Sequence, residues 1–451
     1  MAVTLVSTAE SRAAVAVEHA ESRPRSAVSN GVGLVGLATL VGWFLLARHF
    51  GLAGPNSALM SVVLCGLAMA GWSWVVDRVH RNPSTGIDWD AAPRPTEAAI
   101  ATAKVKTVGL FVTWALIGAA YGAFQWYWQD GQRFAMQLLG WALPFLLIAT
   151  LPYCVWLDRR MTDPRDGSWH FGQWLLGREG ADPQMVWRHW RAWGVKGFFT
   201  AFMLSIVPGL FIELVQRPTA QIFAGPVELA SAAIMFLYIV DVHLATVGYI
   251  ATFRPLDSHI RTANPYGMGW VAALMCYPPF VLMNPGGVLH YEAGSRPWHQ
   301  WFAANEPLLW LWGAALVALT AVYAWATVAF GPRFSNLTHR GIITHGPYRF
   351  TRHPAYVAKN SFWWLASCVF LPWEGGWTQV ARNCVLLALV NGVYYWRAKT
   401  EEKHLLADPA YRAYWSWAQR HAPLPRLFAR LTGRKRPLIV LEPDPAKGSP
   451  L

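Results

Sequence analysis

The 451-residue sequence is short of charged residues and of paired cysteines. Only 14% of its residues are charged, whereas 54% are hydrophobic and 27 are tryptophan, and this balance excludes a soluble multidomain protein of this length. The five cysteines stand singly in or beside apolar runs without a C-x-x-C pair, which excludes a short disulfide framework. We therefore expect a polytopic membrane protein whose thiols are buried and inert.

The net charge of +13 would by itself suggest nucleic acid as a partner. The basic residues, however, fall in short loops between apolar segments and in the C-terminal tail rather than along one polar face. Basic loops of this kind mark the cytoplasmic side of a membrane protein. We therefore expect membrane lipids as partners and no nucleic acid, and the oligomeric state stays open.

About ten apolar segments have the length of a transmembrane helix, which needs roughly 20 residues to cross a hydrocarbon core of about 30 Å. They lie at residues 31–47, 57–76, 106–127, 135–157, 197–216, 227–252, 268–284, 307–330, 355–373 and 380–396. The segment 268–284 is short and contains Pro278 and Pro279, so we expect it to be broken or partly re-entrant. The predicted fold is an all-α transmembrane bundle of about ten spans.

Arginine and lysine collect in every second loop, which assigns those loops to the cytoplasm. The basic loops lie around residues 78–104, 159–191, 254–261 and 333–352 and alternate with loops that hold about one basic residue each. This pattern predicts both termini in the cytoplasm, and we expect the protein in a bacterial inner membrane. Residues 1–30 lack the long apolar core of a signal peptide and are predicted to be a disordered cytoplasmic tail.

Asp241 and His243 stand near the middle of an apolar segment, where a charged group costs roughly 3 kcal/mol or more. We expect both to face the interior of the bundle and to find partners there. At positions i and i+2 they point to different sides of a helix, which argues against one shared site. They are candidates for a structural pair or for the wall of a substrate cavity.

The chemistry of the sequence concentrates in two polar clusters, at residues 341–360 and 397–415, which two apolar segments separate. Two spans form a hairpin that returns the second cluster to the side of the first. Pro354 disfavours helical geometry at His353, so the residues before it lie on irregular backbone at the membrane edge.

The two clusters carry complementary groups. Arg349, Arg352 and His353 belong to the first cluster, and Arg397 and the pair Glu401–Glu402 to the second. A nucleoside ligand uses a carboxylate to accept its ribose hydroxyls, and a ligand carboxylate uses an arginine or an imidazole. The clusters supply both, which indicates one cofactor pocket at the membrane surface.

The strings GPYRFTRHPAY (346–356) and RAKTEEKHLLADPAYRAY (397–414) resemble the isoprenylcysteine carboxyl methyltransferase family, which is similar in turn to the phosphatidylethanolamine methyltransferases. The resemblance covers roughly residues 331–425. It implies S-adenosylmethionine bound at the cytoplasmic face and a lipophilic acceptor with a carboxylate, amine or thiol. The sequence departs from the family at Ala358, where glycine is usual, and at the following Lys359.

The resemblance also implies roles for single residues. Arg352, Arg397 and His353 are expected at the reacting groups, with Tyr411 and Tyr414 closing the pocket from below. Arg352 or Arg397 would steer a carboxylate acceptor, whereas an amine would need His353 or Glu401 as a base, and the sequence does not choose. No metal ligands are assigned. The cofactor is expected to contact His345, Gly346, Tyr348, His353, Pro354, Tyr356, Glu401 and Glu402.

Two other functions stay open at this point. An NADPH-dependent membrane sterol or isoprenoid reductase is the first alternative, because that family shares the R-H-P-x-Y string and about ten spans. A transporter that uses Asp241 and His243 is the second, although the segments show no inverted repeat.

The chain divides into four predicted regions. Residues 1–30 form the tail, 31–306 a membrane region of about seven spans without an assigned function, 307–426 the methyltransferase-like membrane domain, and 427–451 a basic cytoplasmic tail suited to anionic headgroups.

Overall fold

The computed structural model describes residues 22–433, and helices dominate them. The helices of eight residues or more within this range are α1 (Asn30–Phe50), α2 (Pro55–Val75), α3 (Thr96–Phe124), α4 (Arg133–Asp158), α5 (Gly167–Leu175), α6 (Pro183–Gln216), α7 (Pro226–Ile250), α8 (Gly267–Leu274), α9 (Glu306–Phe330), α10 (Pro354–Ser367), α11 (Gly376–Leu405), α12 (Pro409–His421) and α13 (Pro423–Thr432). Seven of them, α1 to α4, α6, α7 and α9, are long and apolar enough to cross a membrane. The chain is therefore an all-α polytopic membrane protein, as predicted.

Short elements complete the described residues. Two strands of two residues each pair antiparallel, so that Thr262 lies opposite His339 and Ala263 opposite Thr338. Two four-residue helices lie at Thr219–Ile222 and Trp298–Trp301. Single turns of 3₁₀ helix lie at Val79–Arg81, Pro83–Thr85, Arg254–Leu256, Gly331–Arg333 and Gly346–Arg349.

The local sequence explains where several of the helices begin. Proline occupies the first turn of α10 and α12, where its missing N–H removes no helical hydrogen bond. At the start of α12, the side chain of Asp408 accepts a hydrogen bond from the backbone N–H of Ala410. At the start of α9, the side chain of Asn305 accepts a hydrogen bond from the backbone N–H of Leu308. These caps fix where the helices around the later site begin.

Helices α7 and α9 lie side by side in the core and run parallel. An ideal Cβ at Gly313 would lie 3.1 Å from the Cβ of Ala230 near the two helix starts. At the other end, Gly248 in the last turn of α7 lies against Phe334, which follows the end of α9. The chain between two parallel helices has to cross back, and it does so through α8 and the irregular segment 275–305. The prediction of a broken crossing at 268–284 is therefore confirmed, but its helical part is only the eight residues of α8.

The last two predicted spans also differ from regular transmembrane helices. The span predicted at 355–373 is the 14-residue helix α10, which is about 21 Å long and thus shorter than the hydrocarbon core of about 30 Å. The span predicted at 380–396 lies inside the 30-residue helix α11. The two helices form the predicted hairpin. Within residues 22–433 seven helices meet the length and composition of a regular membrane span, beside the about ten apolar segments predicted.

The four basic loops meet at one end of the bundle, which we call the loop end (residues 76–95, 159–166, 251–266 and 331–353). Asp257 accepts hydrogen bonds from Asn82, Ser84 and Arg333, which ties three of these loops together. Ile87 pairs with Met161 and adds the fourth. The alternation of basic loops along the sequence therefore corresponds to a single face of the molecule.

Residues 22–29 pack on the loop end and differ from the predicted disordered tail. The backbone N–H of Ala27 donates to the carbonyl of Ile342 at 2.9 Å, and the Thr344 hydroxyl donates to the carbonyl of Pro24 at 2.8 Å. The guanidinium of Arg23 lies 5.7 Å from the ring centre of Trp417. Residues 1–21 of that tail lie outside the described residues.

The predicted basic tail begins in helix α13. Its apolar side chains Leu427, Phe428 and Leu431 are exposed, and Arg426 and Arg430 stand on the same helix. Such a helix suits a membrane surface. Residues 434–451 lie outside the described residues.

Candidate functional site

The segment before α10 presents its polar side chains on non-helical backbone, as predicted. A turn of 3₁₀ helix ends at Arg349, and α10 begins at Pro354. His353 has the dihedral angles φ −130° and ψ 59°, outside the helical region, because proline follows it. The ring of His353 stacks on that of Tyr356, with the ring centres 5.6 Å apart.

Glu402 joins helix α11 to this segment. Its Oε1 atom accepts a hydrogen bond from Nε of Arg352 at 2.8 Å and lies 3.0 Å from Nε2 of His353, while Oε2 accepts from Nζ of Lys399 at 3.0 Å. Burial by itself raises the pKa of this carboxyl, but the hydrogen bond from His353 and the charge of Arg352 lower the pKa well below its usual range. Glu402 is therefore ionised, and both of its carboxylate oxygens contact protein groups.

Glu401 turns to a different side of α11. Its Oε1 atom accepts hydrogen bonds from the hydroxyl of Tyr356 and from Nε of Arg397. Arg397 is buried and also donates to the amide oxygen of Asn336 at 2.5 Å. The guanidinium of Arg397 thus connects Glu401 to the segment that follows α9.

A cavity of about 1230 Å³, including its open mouth, lies between α9, α10 and α11 at the loop end. Its walls combine polar side chains, among them His353, Arg397 and Glu401, with the rings of Phe330 and Tyr348. Tyr411 and Tyr414 of α12 also line it, and the Tyr414 hydroxyl donates to the carbonyl of Tyr348 at 2.9 Å. The cavity has room for a ligand that is partly charged and partly apolar.

Most of the residues predicted at the cofactor or at the reacting groups come together around this cavity, but three of them do not line it. Glu402 acts from behind the wall, as described above. His345 and Gly346 lie one layer back, where an added Cβ at Gly346 would approach Ala329 and Trp325 to 3.2 Å. The predicted residues that line the cavity are Tyr348, Arg352, His353, Pro354, Tyr356, Arg397 and Glu401.

Asp241 and His243 are not part of the cavity wall either. Asp241 accepts hydrogen bonds from the hydroxyls of Tyr323 and Thr327, both of which do line the cavity. The side chain of His243 is fully buried and tilted against Phe211. Asp241 therefore supports the inner wall from behind, whereas His243 belongs to the packing of α7.

The sequence analysis missed several residues of the cavity. Tyr323, Thr327 and Phe330 lie on one face of α9 at positions i, i+4 and i+7. The two hydroxyls on this face of an apolar helix were the available signal. Asn336 and Tyr277 also line the cavity, and the Asn336 amide donates to the Tyr277 hydroxyl at 3.1 Å. Both stand in irregular segments without a recognisable pattern.

Comparison with known proteins agrees with the predicted resemblance. Residues 310–407, which comprise most of α9 and all of α10 and α11, match the family model of the Isoprenylcysteine carboxyl methyltransferase (ICMT) family. The chain is 26% identical over 171 residues to Protein-S-isoprenylcysteine O-methyltransferase A of Arabidopsis thaliana, a match that covers 37% of this chain and 73% of that protein. No solved structure matches the chain. The C-terminal region of this membrane protein is thus similar to isoprenylcysteine carboxyl methyltransferases.

Proposed function

We propose that this protein is an S-adenosylmethionine-dependent methyltransferase that methylates the carboxylate of a prenylated cysteine, or of a similar lipophilic acceptor, at the cytoplasmic face of the membrane. One observation carries the proposal: the two polar clusters that give the family resemblance line a single cavity at the ends of α10 and α11. The relative's name specifies a protein S-isoprenylcysteine as its acceptor.

The polar and aromatic groups around the cavity fit S-adenosylmethionine. The Oε2 atom of Glu401 has no hydrogen-bond partner among residues 22–433, and the Glu401 side chain is 21% exposed on the cavity wall. A carboxylate oxygen of this kind suits ribose hydroxyls. Tyr356 and Tyr348 offer ring faces beside it.

When bound, S-adenosylmethionine supplies an electrophilic methyl group on a sulfonium sulfur. The protein needs no covalent nucleophile for such a transfer, since its tasks are to orient the two ligands and to exclude water. Glu401 would hold the cofactor, and Tyr356 and Arg397 fix the position of Glu401 by hydrogen bonds. The buried rings of Tyr411 and Tyr414 keep this part of the cavity apolar.

We place the site at the cytoplasmic face because of the positive charge of the loops at that end of the molecule. The cavity lies at the loop end, where the four basic loops meet, and its wall includes residues of the loop 331–353. Positive loops stay on the cytoplasmic side. S-adenosylmethionine is available there, while a lipophilic acceptor enters from the bilayer.

The reductase and the transporter make different predictions. A reductase would bind NADPH at the same cavity. A transporter that uses Asp241 and His243 needs both residues on the transport path, whereas the cavity wall includes neither.

A ligand-binding experiment tests the proposal. The full-length protein, purified in detergent, is mixed with S-adenosylhomocysteine or with NADPH, and the melting temperature is measured. We expect S-adenosylhomocysteine to raise it and NADPH to leave it unchanged, and we expect methyl transfer from labelled S-adenosylmethionine to N-acetyl-S-farnesylcysteine. If NADPH alone raised the melting temperature, the proposed methyltransferase function would be wrong and the reductase function would take its place.

A further inference from the structure

One basic side chain on the cavity wall forms no hydrogen bond within residues 22–433. The lysine and arginine side chains that line it are Arg333, Arg340, Arg352, Lys359 and Arg397. Each of the four arginines donates a hydrogen bond to a protein oxygen at 2.9 Å or less. The Nζ atom of Lys359 has no hydrogen-bond acceptor, and no carboxylate oxygen within 4.0 Å, among residues 22–433.

Aromatic rings surround this ammonium group instead. Its Nζ atom lies 5.3 Å from the ring centre of Tyr323, 5.6 Å from that of Trp363 and 6.0 Å from that of Tyr394. Rings attract a cation but accept no strong hydrogen bond, so the three N–H donors stay available. The charge of Asp241 on α7 acts on Lys359, but the two oxygens of Asp241 accept their hydrogen bonds from Tyr323 and Thr327.

Lys359 lies at the membrane-facing end of the cavity, away from the acid pair. It follows Pro354 by five residues on α10, which corresponds to about 8 Å along the helix axis. Tyr394 precedes Glu401 by seven residues on the returning helix α11, or about 10 Å. Glu401 and Lys359 thus mark two ends of one cavity, a mouth with a free acceptor and a deep end with a free donor.

We propose that Lys359 binds a ligand carboxylate, that of the acceptor, and so selects an anionic lipophilic acceptor for this enzyme. The inference rests on the proposed function and names the residue that recognises its substrate. The cofactor is the polar ligand and belongs at the mouth, whereas the acceptor carries a long apolar chain and reaches the deep end from the bilayer. Arg352 and Arg397, which the sequence suggested for this task, already bind Glu402 and Glu401.

The chemistry of an ammonium group suits this task. A guanidinium commonly holds both oxygens of a carboxylate, whereas an ammonium is a point donor and leaves one oxygen free. A lone pair of the free oxygen forms the new O–CH₃ bond, the electron pair of the broken C–S bond stays on sulfur, and no proton is transferred. Lys359 is therefore a positioning and specificity-determining residue, and no general base is required.

The test compares N-acetyl-S-farnesylcysteine with its neutral carboxamide as ligands. We expect the wild-type protein to bind the carboxylate roughly tenfold more tightly than the carboxamide. Lys359→Gln should abolish this preference, and Lys359→Arg should restore part of it. The exposed Lys104 provides a matched control, since Lys104→Gln removes the same charge outside the cavity and should keep the preference.

Cofactor binding separates the possible sources of the carboxylate. We expect the affinity for S-adenosylhomocysteine to change by less than about twofold in Lys359→Gln. If that affinity falls while the affinity for methylthioadenosine, which lacks the carboxylate, does not, Lys359 binds the cofactor and the proposal is wrong.

Equal affinity of the wild-type protein for the carboxylate and the carboxamide ligand would also overturn the proposal about Lys359. This comparison does not require that either Lys359 variant folds. Wild-type protein that binds no S-adenosylhomocysteine would instead refute the proposed function.

Discussion

The Nε atom of Arg352 lies 2.8 Å from Oε1 of Glu402, although 50 positions separate the two residues in the chain. Both side chains are almost fully buried, with 10% and 6% of their surface exposed. This ion pair fixes the segment before α10 to the end of α11. It therefore sets the distance between the two clusters that line the cavity.

Glu401 and Glu402 should differ in what they contribute. Glu402→Gln leaves buried Arg352 and His353 without their carboxylate, which should cost about 3 kcal/mol of stability. Glu401→Gln should mainly weaken binding of S-adenosylhomocysteine, because Glu401 faces the cavity. Thermal unfolding and ligand titration in detergent measure the two effects, with Glu374→Gln at an exposed position as control. Equal losses of stability in both variants would contradict this assignment.

Acid should remove the advantage of the wild type over Glu402→Gln. The pKa of Glu402 is lowered in the folded state, so its stabilisation is complete above the ordinary value of 4.5 and is lost as the pH falls below it. We expect a constant difference in melting temperature between pH 7 and about pH 5 and a shrinking one below about pH 4.5. A difference that stays constant down to pH 3.5 would show that Glu402 stabilises without its charge.

Asp241→Asn should affect the acceptor and spare the cofactor. The Asp241 carboxylate fixes the hydroxyls of Tyr323 and Thr327 at the deep end of the cavity. Loss of one acceptor oxygen should raise the KM for the prenylated acceptor about tenfold. Affinity for S-adenosylhomocysteine should stay constant. His243→Gln, on the same helix but outside the cavity, should change neither constant, and a loss of cofactor affinity in Asp241→Asn would refute the proposed layout.

Residues 22–29 should stabilise the loop end. Deleting residues 1–29 removes the hydrogen bonds to Ile342 and Thr344 and the contact between Arg23 and Trp417. Relative to a deletion of residues 1–21, we expect a loss of about 1–2 kcal/mol and weaker binding of S-adenosylhomocysteine. The comparison of the two deletions isolates residues 22–29. Identical melting temperatures would show that these contacts contribute nothing.

The amino-acid sequence determined the class of the protein and the order of its parts. Apolar length and composition are local properties, so they identify membrane helices without knowledge of their neighbours. The number and length of the apolar segments also predicted that α10 and α11 form a hairpin. The same hairpin predicted that the clusters of Arg352 and Glu402 meet. The sequence did not define the path of residues 275–305, because their prolines and glycines allow many irregular conformations.

Only the tertiary structure decided which of two neighbouring side chains reaches the cavity. Adjacent residues on an α-helix point about 100° apart, so the rotation of α11 turns Glu401 inward and leaves Glu402 to bind Arg352. Helix packing likewise gave Asp241 its partners on α9 and left Lys359 among rings, with no carboxylate oxygen within 4.0 Å in residues 22–433. Such relationships depend on contacts between residues far apart in the chain, and no local pattern encodes them.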